Sequence, residues 1–560
     1  MASSSLRRQP RGFFRGVSDR FFSWIFGFPP ERCNFTTLPL RIPISNGLSR
    51  IELAADLYQP LRPDGVKPLG TILIRSPYGR GIPIVIPARA YAARGYQVLF
   101  VSSRGTFGSG GEFDPFVTEL HDGKAVVEWM REQDWYTGTF ATVGKSYLGF
   151  VQWALLCDPP EDLVAAVPAV SPHDFSRIIW GSGAFNLDVV RFGDVIVKQE
   201  KPLRCWDSLM SFWSTKFEGV FGSLPLAQAI QAHQRGETPW LERMLEKPDI
   251  SDPYYAPMQL GQALERANIP ILIITGWYDL LLEQSMEQYL RLKERGCKVA
   301  LTVGPWTHLK SGLAPQMSRH GFDWIEEHLA GSEEASRFVP VEYFVTGAQE
   351  WRKAASFPPH TIPSTLYLHE GGKLLREPPS SESGISKFTF NPRQPTPTIG
   401  GNGSLSVKGS CNDTALAKRS DVLVFDSTPL FEDLEICGKP TIDLAHSTSS
   451  PFADVFVRIS EVHEDGKSHN ITETFKRLDP NRDEGVEVKL ALNYCAHRFL
   501  RGKQIRVIVA GGNFPQYARN HGVKNEDNRG SETCAVEHIL HHDAIRMSKV
   551  VLPVSSTILG

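Results

Sequence analysis

Nowhere in the sequence do the roughly 18 consecutive apolar residues of a membrane-spanning helix occur, so no membrane span is expected. Charge of one sign is also lacking. Sixty Lys and Arg stand against 62 Asp and Glu, a formal net charge of −2. Nothing in that balance calls for nucleic acid or an anionic membrane as partner. The eight cysteines, at 33, 157, 205, 297, 411, 437, 495 and 534, form no CxxC pair. Zinc ribbons and thioredoxin-type redox motifs are therefore unsupported, and so few thiols in so long a chain do not make a disulfide framework. We expect them reduced and mostly buried. The 16 histidines show no ligand spacing such as HExxH, so neither a metal nor an organic cofactor is implied. No internal repeat is found.

What is present is ordinary globular material. The chain has 560 residues, 41% of them hydrophobic and 22% charged, enough for a large core and more than one domain. The N-terminus admits three readings. Residues 1–18 carry Arg7, Arg8, Arg11 and Arg15 and no acid, as a mitochondrial presequence does. The apolar run from Phe21 to Phe28, broken by Ser23 and Gly27, suits a helix packed on the main domain. Secretion is the third; the Asn-x-Ser/Thr triplets at Asn34, Asn402, Asn412 and Asn470 arise often by chance and carry little weight without a secretion signal. The cytoplasm, with mitochondria as the alternative, is the expected location.

After this extension (residues 1–35), short apolar runs alternate with helical patterns. Thr71–Arg75, Val98–Val101, Ala141–Val143 and Val164–Val170 read as buried strands, with helices at Leu120–Glu132 and Phe150–Cys157. Such alternation predicts a parallel sheet covered on both faces. Residues 172–262 break the rhythm, being rich in Trp, Phe, Leu and charge at helical spacing, and read as an inserted helical cap. The rhythm resumes with strands at Ile271–Thr275 and Lys298–Val303 and helices at Glu283–Arg295 and Gly321–Leu329. The expected α/β core thus comprises residues 36–171 and 263–337. From 338 to 560, short strands separated by Gly, Pro, Asn and Asp predict an all-β domain, with a long loop over about 376–415.

Chemistry in open α/β sheets sits at the carboxyl ends of the strands, and three such ends carry suitable residues. Gly144-Lys145-Ser146-Tyr147-Leu148-Gly149 lies between a strand and a helix, where a serine hydroxyl is held above the sheet. Asp279 ends Thr275-Gly276-Trp277-Tyr278-Asp279, placed to fix a histidine tautomer. His308 ends Gly304-Pro305-Trp306-Thr307-His308, placed to take a serine proton. Singly, each has a plainer reading: an N-cap serine, a loop aspartate, a packing histidine. Together, the chain order Ser…Asp…His is the α/β-hydrolase order, with Ser146 as nucleophile, His308 as base and Asp279 orienting the base. The oxyanion of acyl transfer needs donors. The Tyr147 amide is one, and the Tyr78 hydroxyl, in the loop Arg75–Arg80, is a candidate second. Trp180, Phe185, Trp277 and Leu281 are candidates for lining the substrate site, with core packing as the alternative for each.

These motifs resemble the cocaine-esterase-like (CocE/NonD) hydrolases and the X-prolyl dipeptidyl peptidase family, from about Leu40 to the C-terminus. Further matching pieces are Glu52–Tyr58, Ser103-Arg104-Gly105, Ser109-Gly110-Gly111, Asp454–Ser460, His497-Arg498-Phe499 and Gly512-Asn513-Phe514-Pro515. The resemblance implies an α/β-hydrolase core with an inserted helical cap and a C-terminal jelly-roll domain that walls the cleft. It also implies that the loop tyrosine, here Tyr78, serves the oxyanion. The sequence departs at Lys145, which is either a surface contact or the holder of an acidic group. It departs at Ser103, where the family has aspartate, so that an ion pair to Arg104 is expected to be missing. Amino-acid-ester hydrolases of the family bind an ammonium with carboxylates after the triad aspartate. Here Leu280-Leu281-Leu282 would instead line an apolar acyl pocket.

The leading expectation is a serine hydrolase acting on a bulky, uncharged carboxylic ester through an acyl-enzyme on Ser146. A dipeptidyl or acyl peptidase is the second reading, with Asp174, Asp188 and Asp194 as candidates to grip an α-amino group. A biosynthetic hydrolase or acyltransferase of secondary metabolism is the third, and a non-enzymatic carbohydrate-binding or scaffold protein the fourth. The expected partner is a small-molecule ester or peptide substrate, not nucleic acid. A homodimer is compatible with the sequence, and the oligomeric state is left open.

Overall fold

The computed structural model describes residues 8–46, 49–200, 216–333, 339–403, 409–482, 487–525 and 528–556. Its centre is an 11-stranded sheet. From Gln97–Ser102 through Thr71–Ser76, Phe140–Lys145, Leu163–Ala169, Ile271–Tyr278 and Val299–Thr307 to Val341–Val345, neighbouring strands run parallel. The strand Gln97–Ser102 shows why the run is apolar throughout. Val98 and Phe100 enter the core layer on one face with Tyr91 and Phe322, while Leu99 and Val101 enter the other with Val126, Met130 and Phe150. A strand covered on both faces cannot alternate apolar with polar. The helices Glu119–Arg131, Tyr147–Leu156 and Leu282–Glu294 cover one face, and Ile86–Ala92 and Pro315–His328 the other.

Two parts of this sheet escape the sequence reading. The antiparallel hairpin Asn34–Asn46 and Ser49–Leu61 extends one edge. At the other edge, Val341–Val345 and Glu350–Ala354 lie beyond 338 but belong to the central sheet, not to the all-β unit expected there. Short strands look alike whichever sheet they join; the parallel register of Val341 on Leu301 decides the matter.

Between Leu163–Ala169 and Ile271–Tyr278 the described elements are helical, including Asp188–Lys198, Leu226–Gln234 and Pro239–Glu246. The C-terminal part is all-β apart from the four-residue helix Thr414–Ala417 among its described elements, with one large sheet and a three-stranded one. The long loop expected over 376–415 holds a strand, Ile385–Phe390, whose alternating burial pairs it with Val536–His541. Among the described cysteines none forms a disulfide; Cys157, Cys437 and Cys495 are buried, whereas Cys534 is exposed and the others are intermediate. Burial is thus less general than expected, and Cys205 lies outside the described residues.

Candidate active site

The sheet brings Ser146, Asp279 and His308 together. Ser146 stands between the strand Phe140–Lys145 and the helix Tyr147–Leu156 with φ 59° and ψ −124°. A non-glycine residue held at positive φ is strained, and such strain collects at functional sites. The turn survives because its neighbours are glycines where space runs out. A Cβ on Gly149 would lie 2.2 Å from the Ser171 Cβ, and one on Gly144 2.5 Å from the Leu148 Cβ. The Ser146 amide donates to the Ala169 carbonyl at 2.9 Å, tying the turn to the next strand.

His308 follows the strand Val299–Thr307. Its Nε2 lies 3.0 Å from Ser146 Oγ and its Nδ1 2.8 Å from Asp279 Oδ2. Asp279 is buried, and its second oxygen accepts the Leu281 amide at 2.7 Å. Both carboxylate oxygens therefore have partners, as a buried charge requires. This geometry lets the imidazole take the hydroxyl proton while the carboxylate stabilises the resulting cation.

Two donors face the serine. The Tyr147 amide heads a helix, where the first N–H groups have no intrahelical acceptor. The Tyr78 side chain lines the same cavity as Ser146, close enough to influence it electrostatically, and its ring meets that of Tyr147 edge-on at 6.3 Å. Burial raises the Tyr78 pKa, an effect the Ser146 contact opposes, so the phenol stays protonated and can donate.

A cavity of about 690 Å³ opens on these residues. Leu280 and Leu281 line it, with Phe116, Phe175 and Phe192 on the cap side. The other lining candidates do not reach it. Trp180 is buried against Phe185, its ring nitrogen donating to the Met244 carbonyl at 2.8 Å. Trp277 donates to the Phe344 carbonyl at 2.6 Å and packs on Phe357. Some aromatic side chains, such as Phe175 and Phe192, line the cleft while others fill the core, and spacing alone does not separate the two.

The departures resolve differently from expectation. Arg104 is paired, through Nε to Asp122 Oδ2 at 3.0 Å, so Asp122 supplies the carboxylate that Ser103 does not. Lys145 is neither a surface contact nor, among the described residues, ion-paired. It lines the cavity, crowding Gly312, and burial lowers its pKa against the opposing charge of Asp279. Of the cap aspartates, Asp194 pairs with His233 and Lys198, and Asp174 accepts the Arg177 amide. Asp188 lines the cavity, 3.6 Å from Arg191.

One residue at the site was not foreseen. Asn402, from the all-β domain, donates its side-chain amide to the carbonyls of Trp277 and Asp279 at 2.9 and 3.2 Å. It is buried, and Gln516 donates to its backbone carbonyl at 2.8 Å. The sequence presented it only as a glycosylation triplet, which its burial rules out.

A doubly covered parallel sheet, a strained serine between strand and helix, and a cap before the aspartate strand define an α/β-hydrolase carrying an additional all-β domain. The X-Pro dipeptidyl-peptidase (S15 family) description matches residues 47–310, and that of the X-Pro dipeptidyl-peptidase C-terminal non-catalytic domain matches residues 335–551. Cocaine esterase from Rhodococcus sp. (strain MB1 Bresler) is 27% identical over 571 residues, covering 92% of this chain and 97% of that protein. An aminopeptidase structure from a marine sediment archaeon, Thaumarchaeota archaeon, superposes with a TM-score of 0.80 at 20% identity, covering 93% of this chain and 96% of that one. An α-amino acid ester hydrolase structure superposes with a TM-score of 0.78, also at 20% identity, covering 93% and 97%. The chain belongs to the cocaine-esterase-like hydrolases of the X-prolyl dipeptidyl peptidase family and is a serine hydrolase.

Proposed function

We propose that this enzyme hydrolyses a carboxylic ester with a bulky apolar acyl group through an acyl-enzyme on Ser146. The observation that carries the reading is the chain of hydrogen bonds from Asp279 through His308 to Ser146 at 2.8 and 3.0 Å. His308 takes the Ser146 proton as the hydroxyl attacks the carbonyl. The Tyr147 amide and Tyr78 hydroxyl receive the oxyanion, and His308 returns the proton to the leaving alcohol. Water then repeats the sequence against the acyl-enzyme. Leu280 and Leu281 in the cavity wall favour an apolar acyl group over an ammonium.

A peptidase is the second reading, because Asp188 also lines the cavity and could meet an α-amino group. Wild type and Ser146→Ala should be treated with a fluorophosphonate probe and assayed on p-nitrophenyl acetate and Ala-Pro-p-nitroanilide. Labelling of Ser146 with ester cleavage lost in the variant is the expected result. Faster anilide cleavage would transfer the assignment to the peptidase, and absence of labelling would remove the proposed triad.

A further inference from the structure

The helix Phe13–Ile25 lies on the protein with its polar side inward. Asp19 is 5% exposed and Ser23 is buried, and Asp19 is held by Arg11 at 3.0 Å and by Arg89 of the helix Ile86–Ala92 at 3.3 Å. The apolar side faces out. Phe14 is 87% and Trp24 76% exposed; Phe13 is comparable, and Val17, Phe21 and Ile25 are exposed to a smaller degree. At 100° per residue these six positions fall within one stripe about 120° wide. A helix in a water-facing position normally shows the opposite arrangement.

Charge and position indicate what covers the stripe. The helix's one acid is inside, whereas Arg15 and Arg20, on either side of the stripe, are exposed, Arg20 while paired with Glu31 at 3.0 Å. Aromatic residues flanked by arginine suit the boundary between headgroups and acyl chains. The helix also ends beside the cavity. Phe26, directly after the helix, lines the cavity, and Gly27 packs on Pro315 beside Leu313. Leu313 and Ile82 both line the cavity while 65% and 56% exposed.

We propose that this face docks on an anionic phospholipid bilayer, the helix lying in the interface and the cavity opening beside it. Docking does not depend on the assignment of Ser146. Its consequence, entry of an apolar ester from the lipid phase, does rest on that assignment.

The test is co-sedimentation of the full chain with equimolar phosphatidylcholine–phosphatidylglycerol vesicles, alongside its solution mass by light scattering. Wild type and Ser146→Ala should bind equally. Phe14→Ser/Trp24→Ser should lose binding about ten-fold or more while keeping p-nitrophenyl acetate hydrolysis. Arg15→Glu should weaken binding to the anionic vesicles but not to phosphatidylcholine alone. Wild type remaining in the supernatant, or equal binding by the double variant, would overturn the proposal. So would a wild-type dimer that ignores vesicles and dissociates in the double variant, which would assign the face to self-association.

Discussion

The side-chain amide of Asn402 donates to the backbone carbonyl of Asp279 at 3.2 Å, so the all-β domain holds the loop that carries the proposed triad carboxylate. The same amide holds the Trp277 carbonyl. Asn402→Ala would leave both carbonyls without this buried donor, at about 1–3 kcal/mol. We expect kcat to fall roughly 10- to 100-fold through misplacement of Asp279, with KM changing less. Asn402→Asp, which cannot donate, should behave alike; unchanged kcat in both variants would show that the brace is structural only.

Tyr78→Phe removes a hydroxyl without changing the ring. If that hydroxyl receives the oxyanion, kcat should drop about 10²-fold with KM little altered, while fluorophosphonate labelling of Ser146 slows in parallel. A variant with wild-type kcat would leave the Tyr147 amide as the one assigned donor.

The Tyr147 hydroxyl donates to Glu119 at 2.8 Å and accepts from the Phe116 amide at 2.9 Å. Glu119 is also the partner of the buried Arg75. Tyr147→Phe should therefore cost about 1–3 kcal/mol in denaturant unfolding, because two buried groups lose a partner together. A change below about 0.5 kcal/mol would mean that water replaces the phenol.

Gly149→Ala places a Cβ 2.2 Å from the Ser171 Cβ, which the turn cannot admit without moving Ser146. Loss of most esterase activity with about 1–3 kcal/mol of destabilisation is expected. Gly149→Ala/Ser171→Gly should recover part of both, since it removes the opposing atom.

The all-β domain holds buried histidines that favour the neutral form. Burial lowers His446 and His542 to about 4 from an ordinary 6.5, and His538, stacked on Phe388, is lowered as well. Below pH 6.5 the unfolded chain binds protons that the folded chain refuses. Stability is therefore present above pH 6.5 and lost as pH falls from there toward 4. The melting temperature should drop on the order of 10 °C over that window, and His446→Phe should flatten the drop. A pH-independent melting temperature would contradict this assignment.

The parallel strands and the turn around Ser146 were legible because their signals are local. A short, mostly apolar run (Phe140-Ala141-Thr142-Val143) followed by Gly144-Lys145-Ser146 and then a helix leaves few alternatives. Leu281 reached the cavity as expected, but Trp180, Phe185 and Trp277 did not, because composition marks an apolar side chain without saying which cavity or core it fills. The pairing of Arg104 was also hidden. The sequence pattern directed attention to position 103, whereas the carboxylate comes from Asp122 on the helix Glu119–Arg131.

By itself, the sequence determined the class of fold, the order of strand ends and the three polar residues placed on them. Those follow from short-range periodicity and turn chemistry. The tertiary structure alone decided that Asn402 braces Asp279, that the strand at 341–345 joins the central sheet, and that the helix Phe13–Ile25 turns its apolar stripe outward. An apolar stripe has the same spacing whether it is covered or bare. Which of the two holds depends on what packs against it, and here that is the buried pairing of Asp19 with Arg11 and Arg89.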